Sequence, residues 1–229
     1  MHSLQHVRDR SRRAARCADR PRATLRGDEG GSAENVRSAR AGVGCERHFG
    51  APATALVNNA SLFEYDTLQT LAADNLQKTL DINFVAPILL AQAFARASGG
   101  EGCIVNLLDQ KVRNLNPDFF SYTLSKVALA SATELLARVL APVRVCGVAP
   151  GSSLPSADET EDEFLRARRA TPLGRTSTPE DVADAVLFLL RSKAITGEVL
   201  TVDGGQNLLA ADRDIMFLQR ALTHAKTAI

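Results

Sequence analysis

Tyr122 and Lys126 stand four residues apart, a spacing that places both side chains on one face of a helix. A phenol beside an ammonium group can hand a proton to a reacting atom, because the positive charge favours the phenolate left behind. Such a pair on its own is most often surface decoration, so its neighbours decide its weight. Asp109 comes 13 positions before Tyr122, at the end of an apolar run, and strand ends of an open α/β sheet are where ligands bind. Taken alone, Asp109 would be a turn or cap residue. Asn83 precedes Pro87 by four residues inside a helical pattern. Proline has no N–H to bond the carbonyl of residue 83, so that carbonyl is left free for water or another group. The competing view of Asn83 and Pro87 is a tolerated helix bend without a role.

The elements that must carry these groups follow from the apolar pattern. Ala55 to Asn59 (ALVNN), Cys103 to Leu108 (CIVNLL), Val143 to Ala149 (VRVCGVA) and Val199 to Val202 predict buried parallel strands. Between them lie two long helical patterns, about 73 to 97 and about 119 to 140. Gly99 and Gly100 stop the first, and the second ends ahead of Pro142. A further helix starts with Thr178 as N-cap, Pro179 at its first position and Asp181 in its first turn, and runs to about Arg191. Strands alternating with helices of this length predict right-handed crossovers and a doubly wound α/β fold with helices on both faces of a parallel sheet.

Composition narrows the class. The 229 residues are 45% apolar and 23% charged, and no apolar run approaches the roughly 20 residues of a membrane span. The four cysteines, Cys17, Cys45, Cys103 and Cys146, lie in no disulfide or zinc spacing. No metal is expected, and a reducing, cytoplasmic compartment is. The net charge of +1 conceals an asymmetry, because residues 1 to 50 hold eleven arginines against six acids. That head lacks lysine and any strand-like run, whereas residues 51 to 229 have the composition of a globular domain. Three accounts of the head compete: a nucleic-acid or anionic-surface tail, a transit peptide, and a disordered segment that is not an evolved folded sequence, such as a shifted reading frame. The last is preferred, because the head lacks lysine and interleaved aromatics and carries too many acids for a transit peptide. Nucleic acid is therefore not expected as a partner.

Taken in order, the Val57-Asn58-Asn59-Ala60-Ser61 run, Asn83, the Tyr122/Lys126 pair and the Pro150-Gly151 turn resemble the short-chain dehydrogenase/reductase family over about residues 50 to 206. The resemblance implies a Rossmann-like fold and an oxidoreductase using NAD(P)H. Tyr122 would be the proton donor. Lys126 would lower the Tyr122 pKa and hold the nicotinamide ribose. Asn83 would anchor, through its carbonyl, a water leading to Lys126. Asn58, Ala60, Pro150, Gly151 and Ser152 would border the cofactor. Most members carry serine where Asp109 stands. An aspartate there, with NNAS instead of NNAG, looks like the pteridine reductase and dihydromonapterin reductase branch. That implies NADP(H) as cofactor and a pterin as substrate, with another small carbonyl as the alternative. A homodimer or homotetramer formed through the two long helices is implied in the same way. The rival from another class is a catalytically silent scaffold whose basic head holds an anionic partner.

The loop from Gln110 to Asp118, with Phe119 and Phe120, is expected to flank the substrate. Within it Lys111 and Arg113 either meet an acidic substrate or, as preferred, stay solvated. Ser152 to Pro155 (SSLP) departs from the family's usual threonine. The family's glycine-rich TGxxxGxG turn, which lets the backbone approach the pyrophosphate, is not found; Gly42-Val43-Gly44 has no strand before it. Weak NADP(H) binding and an exposed edge on the Ala55 strand are the expected consequences.

Overall fold

The computed structural model describes residues 50–156, 159–210 and 212–217. The questions raised by the head, the Gly42-Val43-Gly44 segment and the glycine-rich turn lie outside these residues. The sheet consists of β1 (Ala55–Asn58), β2 (Cys103–Leu107), β3 (Arg144–Pro150) and β4 (Val199–Val202), all parallel and hydrogen-bonded in sequence order. The doubly wound α/β class predicted from the alternating pattern is what forms.

Period-two alternation along the strands sends side chains to two separate cores. On one face Cys103, Val105 and Leu107 of β2 and Cys146 and Val148 of β3 pack against Ala185 and Leu189 of α5 (Pro179–Arg191). On the other, Ile104 and Val145 meet Ala91 and Phe94 of α2 (Ala86–Ala97) and Ala137 of α3 (Phe120–Val139). Fully burying a valine or isoleucine of this kind contributes about 1.5–3 kcal/mol, so β2 and β3 are the rigid centre of the molecule. At the margin, Val57 of β1 is 40% exposed, and β1 has only β2 as a strand partner among the described residues.

The first long helical pattern is one continuous rod with a fault in it. α1 (Ala73–Leu80) passes into a π-helical turn, Asp81–Val85, and then into α2. Within that turn the N–H of Ala86 reaches back five residues to the carbonyl of Asp81. The irregularity expected from Pro87 is therefore an inserted residue rather than a simple bend. By length and composition the rod from Ala73 to Ala97 is long and apolar enough to cross a membrane, although no unbroken apolar run in it reaches that length. Its buried residues, Thr79, Asn83, Pro87, Ala91 and Phe94, follow the spacing of a stripe turned toward a protein core.

Thr178 caps α5 as expected. Its side chain accepts from the N–H of Asp181, and Asp181 reaches back to the N–H of Thr178. A second capping box, Thr160 with Glu163, starts α4 (Glu161–Arg169), a helix not anticipated from the sequence. β4 is followed by Asp203, whose carboxylate accepts from the N–H groups of Gly205 and Asn207. Gly204 has φ +65°, and a Cβ there would collide with the carbonyl oxygen of Arg175. Replacing Gly204 by alanine is expected to cost about 2 kcal/mol or more of stability, from the left-handed backbone and the clash together. Denaturant unfolding of Gly204→Ala beside Gly174→Ala, whose Cβ would meet open space at a similar φ of +65°, separates the clash from the backbone cost.

Candidate active site

Asp109 follows the carboxyl end of β2 in extended backbone and starts a 3₁₀ turn, Gln110–Val112. One carboxylate oxygen accepts from the N–H of Lys111 at 2.8 Å; the other accepts from the hydroxyl of Tyr122 at 2.9 Å. Tyr122 and Lys126 share one face of α3, both buried, with the Lys126 ammonium 5.6 Å from the centre of the Tyr122 ring. The Lys126 Nζ donates to the carbonyl of Leu107, on the last residue of β2, at 2.8 Å. The three groups singled out from sequence thus converge where β2 ends and α3 begins.

The first turn of α3, which carries Tyr122, is held from outside the helix. Phe119 occupies the N-cap position with φ +54°, a left-handed conformation unusual for an aromatic residue, and offers no side-chain oxygen to cap with. Asp66, from the segment after β1, supplies the cap: its carboxylate accepts from the N–H of Ser121 at 3.0 Å and from the Ser121 hydroxyl, and its carbonyl accepts from the N–H of Phe120. A negative charge at a helix N-terminus is favourable. The Phe119 ring is stacked on Phe63 at 4.2 Å, and Phe63 meets Tyr122 edge-on at 4.7 Å. Phe63 nevertheless stays 44% exposed. It is a flat apolar surface beside the phenol.

Asn83 is fully buried in the π-helical turn. Its side chain accepts from the N–H of Leu62 at 2.7 Å and donates to the Leu62 carbonyl at 2.9 Å and to the Ser125 hydroxyl at 3.0 Å. This ties the segment after β1 to α3 between Tyr122 and Lys126, a task of the side chain that the carbonyl-based expectation did not include. Asn58 donates to Asn106, its register partner on β2, at 2.8 Å, and its own buried Oδ1 has no partner among the described residues.

A cleft is lined by Asp109 and Tyr122 together with Gly151 and Ser152, four of the expected site residues. Asn58, Ala60, Asn83, Lys126 and Pro150 are not on its wall: Lys126 and the two asparagines are buried, and Ala60, two residues past β1, is exposed. The Gly151 and Ser152 N–H groups are already committed, to the Val202 carbonyl and to the Gln206 Oε1. One expectation for the loop is corrected. Lys111 is not solvated but 2% exposed, its ammonium paired with Asp214 at 2.7 Å; Arg113 alone is exposed. Phe63, Gln206 and the Ile215–Met216 pair also line the cleft and were missed, because each comes from a segment whose local pattern carries no chemical motif.

Burial raises the Asp109 carboxyl above the usual carboxylate range, against the hydrogen bonds from Lys111 and Tyr122. It also pushes the Tyr122 phenol well above its ordinary value, helped by the charge of Asp109 and by the hydrogen bond to it. This reverses the expected lowering by Lys126, since the carboxyl is the phenol's direct partner. Burial brings the Lys126 ammonium down from 10.5 to about 8, with Asp109 opposing. At neutral pH the phenol holds its proton and directs it at the Asp109 carboxyl, an arrangement able to pass a proton to a reacting atom.

With this geometry in place, the relatives can be compared. A family model described as enoyl-(acyl carrier protein) reductase matches residues 36–207. The chain is 37% identical over 175 residues to protein FixR of Bradyrhizobium diazoefficiens, covering 71% of this chain and 63% of that protein. Pteridine reductase 1 of Leishmania tarentolae is 33% identical over 198 residues, 73% of this chain and 67% of that one. Among solved structures, the FolM alternative dihydrofolate reductase 1 of Brucella canis, in complex with NADP, superposes with a TM-score of 0.75 at 34% identity, covering 83% of this chain and 75% of that one. The chain belongs to the short-chain dehydrogenase/reductase family of oxidoreductases and is similar to its pteridine reductase branch. It spans slightly less than two thirds of FixR's length.

Lys126 makes a signed prediction. Its native pKa of about 8 lies below the ordinary 10.5, so between those values the unfolded chain holds more protons and this group's contribution to stability rises with pH. Lys126→Met is expected to be more stable than wild type near neutrality. That advantage should shrink by up to about 1.4 kcal/mol per pH unit between the two values, and an advantage independent of pH would contradict the burial of a charged Lys126.

Proposed function

We propose that this chain is an NADP(H)-dependent reductase of pterins. The observation that carries the proposal is the Tyr122 hydroxyl hydrogen-bonded at 2.9 Å to a half-buried carboxyl, Asp109, in a cleft, at the position where most of the family has serine. Reducing a ring imine adds hydride to carbon and a proton to nitrogen, and a carboxyl–phenol relay suits delivery to nitrogen. The likeness to pteridine reductase 1 and to FolM supports the same substrate class.

NADPH, when bound, supplies the hydride. The Lys126 ammonium has three N–H donors and one acceptor among the described residues, the Leu107 carbonyl, so two donors would remain for the ribose hydroxyls of such a cofactor. Tyr122 releases its proton from Oη to the substrate nitrogen, and the phenolate regains one from solvent by way of the Asp109 carboxyl, whose Oδ2 is the acceptor of the Tyr122 hydroxyl. The raised Tyr122 pKa keeps the phenol protonated at neutral pH. Asn83 holds the two segments in register, and Phe63 gives a flat heterocycle a face to stack on.

A homo-oligomer joined through the two long helices is part of the proposal, supported by the exposed Leu124, Leu135 and Val139 of α3. A cytoplasmic setting suits the free thiols of Cys103 and Cys146. NADPH affinity weaker than micromolar is expected for the chain as written, since its sequence holds no TGxxxGxG turn. The assay is therefore NADPH oxidation at millimolar cofactor, with dihydrobiopterin and a panel of small carbonyls as substrates. Pterin-dependent turnover that falls about 10²-fold or more in Tyr122→Phe is the expected result. Turnover of carbonyls but not pterins would move the substrate class, and no turnover of either would favour a silent scaffold.

A further inference from the structure

Residues 213–216 reach the cleft from the far end of the described chain. Ile215 and Met216 are each 8% exposed and line it, and Met216 packs in one cluster with Phe119 and Tyr122. Ile215, Met216 and Phe217 are helical, and two ionic contacts tie the segment to the loop after Asp109. Arg213 donates to both carboxylate oxygens of Asp118, at 2.8 Å from each of Nε and Nη2, and the N–H of Asp214 donates to the same carboxylate at 2.8 Å. The Asp214 carboxylate in turn meets the Lys111 ammonium at 2.7 Å and accepts from the N–H of Met216 at 3.1 Å.

Both anchors on the other side lie in the loop that follows Asp109. Asp118 is 1% exposed, and although burial would raise its carboxyl, Arg213 and the Asp214 N–H hold it below the usual range. Lys111 is bonded at both ends: its backbone N–H holds the Asp109 carboxylate and its ammonium holds Asp214. The four charges sum to zero, so removing one strands another in a buried setting. Buried pairs contribute little net stability compared with apolar side chains of the same volume. What this pair of contacts does accomplish is to fix the position of the Ile215–Met216 wall relative to Tyr122.

We propose that Arg213 and Lys111 are positioning residues that, through Asp118 and Asp214, hold Ile215 and Met216 against Tyr122 as the apolar wall on which a flat substrate ring packs, opposite in sequence to Phe63 but in the same cleft. Ile215 and Met216 are then specificity-determining. This rests on the cleft being the substrate site, and the substrate class it selects is a planar ring with an apolar face.

The test uses the whole chain and three variants: Arg213→Met, Arg213→Lys and Met216→Ala. Arg213 is about half exposed, so its variants remove a latch and leave the cores intact. Binding is read by the intrinsic fluorescence of biopterin, turnover by NADPH oxidation, and the state of the segment by hydrogen exchange of a peptide spanning residues 212–217. Arg213→Met and Met216→Ala are expected to raise the biopterin Kd and KM about tenfold with kcat little changed. Arg213→Met is also expected to accelerate exchange in the segment at least tenfold, and Arg213→Lys to recover part of both effects. If wild type binds biopterin and the variants bind it equally, the wall is overturned while pterin reduction stands. If wild type ignores biopterin but reduces carbonyls with a KM that rises in Met216→Ala, the pterin substrate is overturned and the wall stands. A loss of kcat and KM in parallel with thermal stability, without rescue by lysine, also overturns the positioning role.

Discussion

A hydrogen bond between a buried phenol and a half-buried carboxyl, Tyr122 to Asp109, is the contact on which the arrangement of this molecule turns. It joins the carboxyl end of the central strand β2 to the first turn of α3, and each partner is otherwise expensive to bury. Asp109 loses hydration and recovers two hydrogen bonds; Tyr122 loses hydration and gains an acceptor. Neither is at its ordinary pKa, and both move in the direction that keeps a proton on hand. Stability is given up at such a site for a chemical capacity. The surrounding structure has to hold the two groups together, which explains why so many long-range contacts concentrate there.

Those contacts come from three separate parts of the chain. Asp66 caps α3 in place of Phe119, which adopts a left-handed conformation and turns its ring onto Phe63. Asn83 braces the segment after β1 against Ser125, and the π-helical turn places it there. From the far end, Arg213 and Asp214 close over the loop that begins at Asp109. The cores on either side of the sheet supply rigidity, and these polar braces convert it into position.

How much of this can be seen in the sequence depends on whether a feature is local. Strand limits came within a residue or two, because apolar runs bounded by glycine and proline are local signals. The start of α5 at Thr178 and Pro179 was legible to the residue for the same reason. Asp109, Tyr122, Gly151 and Ser152 were legible as a set that shares a cleft, because a strand end and a helical spacing fix their relation. The π-helical turn was not, since one inserted residue leaves the apolar stripe nearly intact. Asp66 was invisible as a cap, standing 55 residues from the Ser121 it serves. Lys111 was misjudged because its partner, Asp214, lies about a hundred residues away, and an isolated lysine in a polar loop reads as solvated. The Tyr122 pKa was expected to fall with Lys126 as neighbour, whereas the carboxyl and the burial around it govern.

The chain has two tyrosines and no tryptophan, so the state of Tyr122 can be read by ultraviolet absorbance once Tyr65 is replaced by phenylalanine. In that Tyr65→Phe background, with folding followed by circular dichroism, the Tyr122 phenolate should remain undeveloped well past pH 10, the ordinary phenol value. Adding Asp109→Asn should bring its titration back toward that value. A Tyr122 that ionises at or below pH 10 with Asp109 present, or one that ignores the loss of Asp109, would contradict the coupled carboxyl–phenol pair.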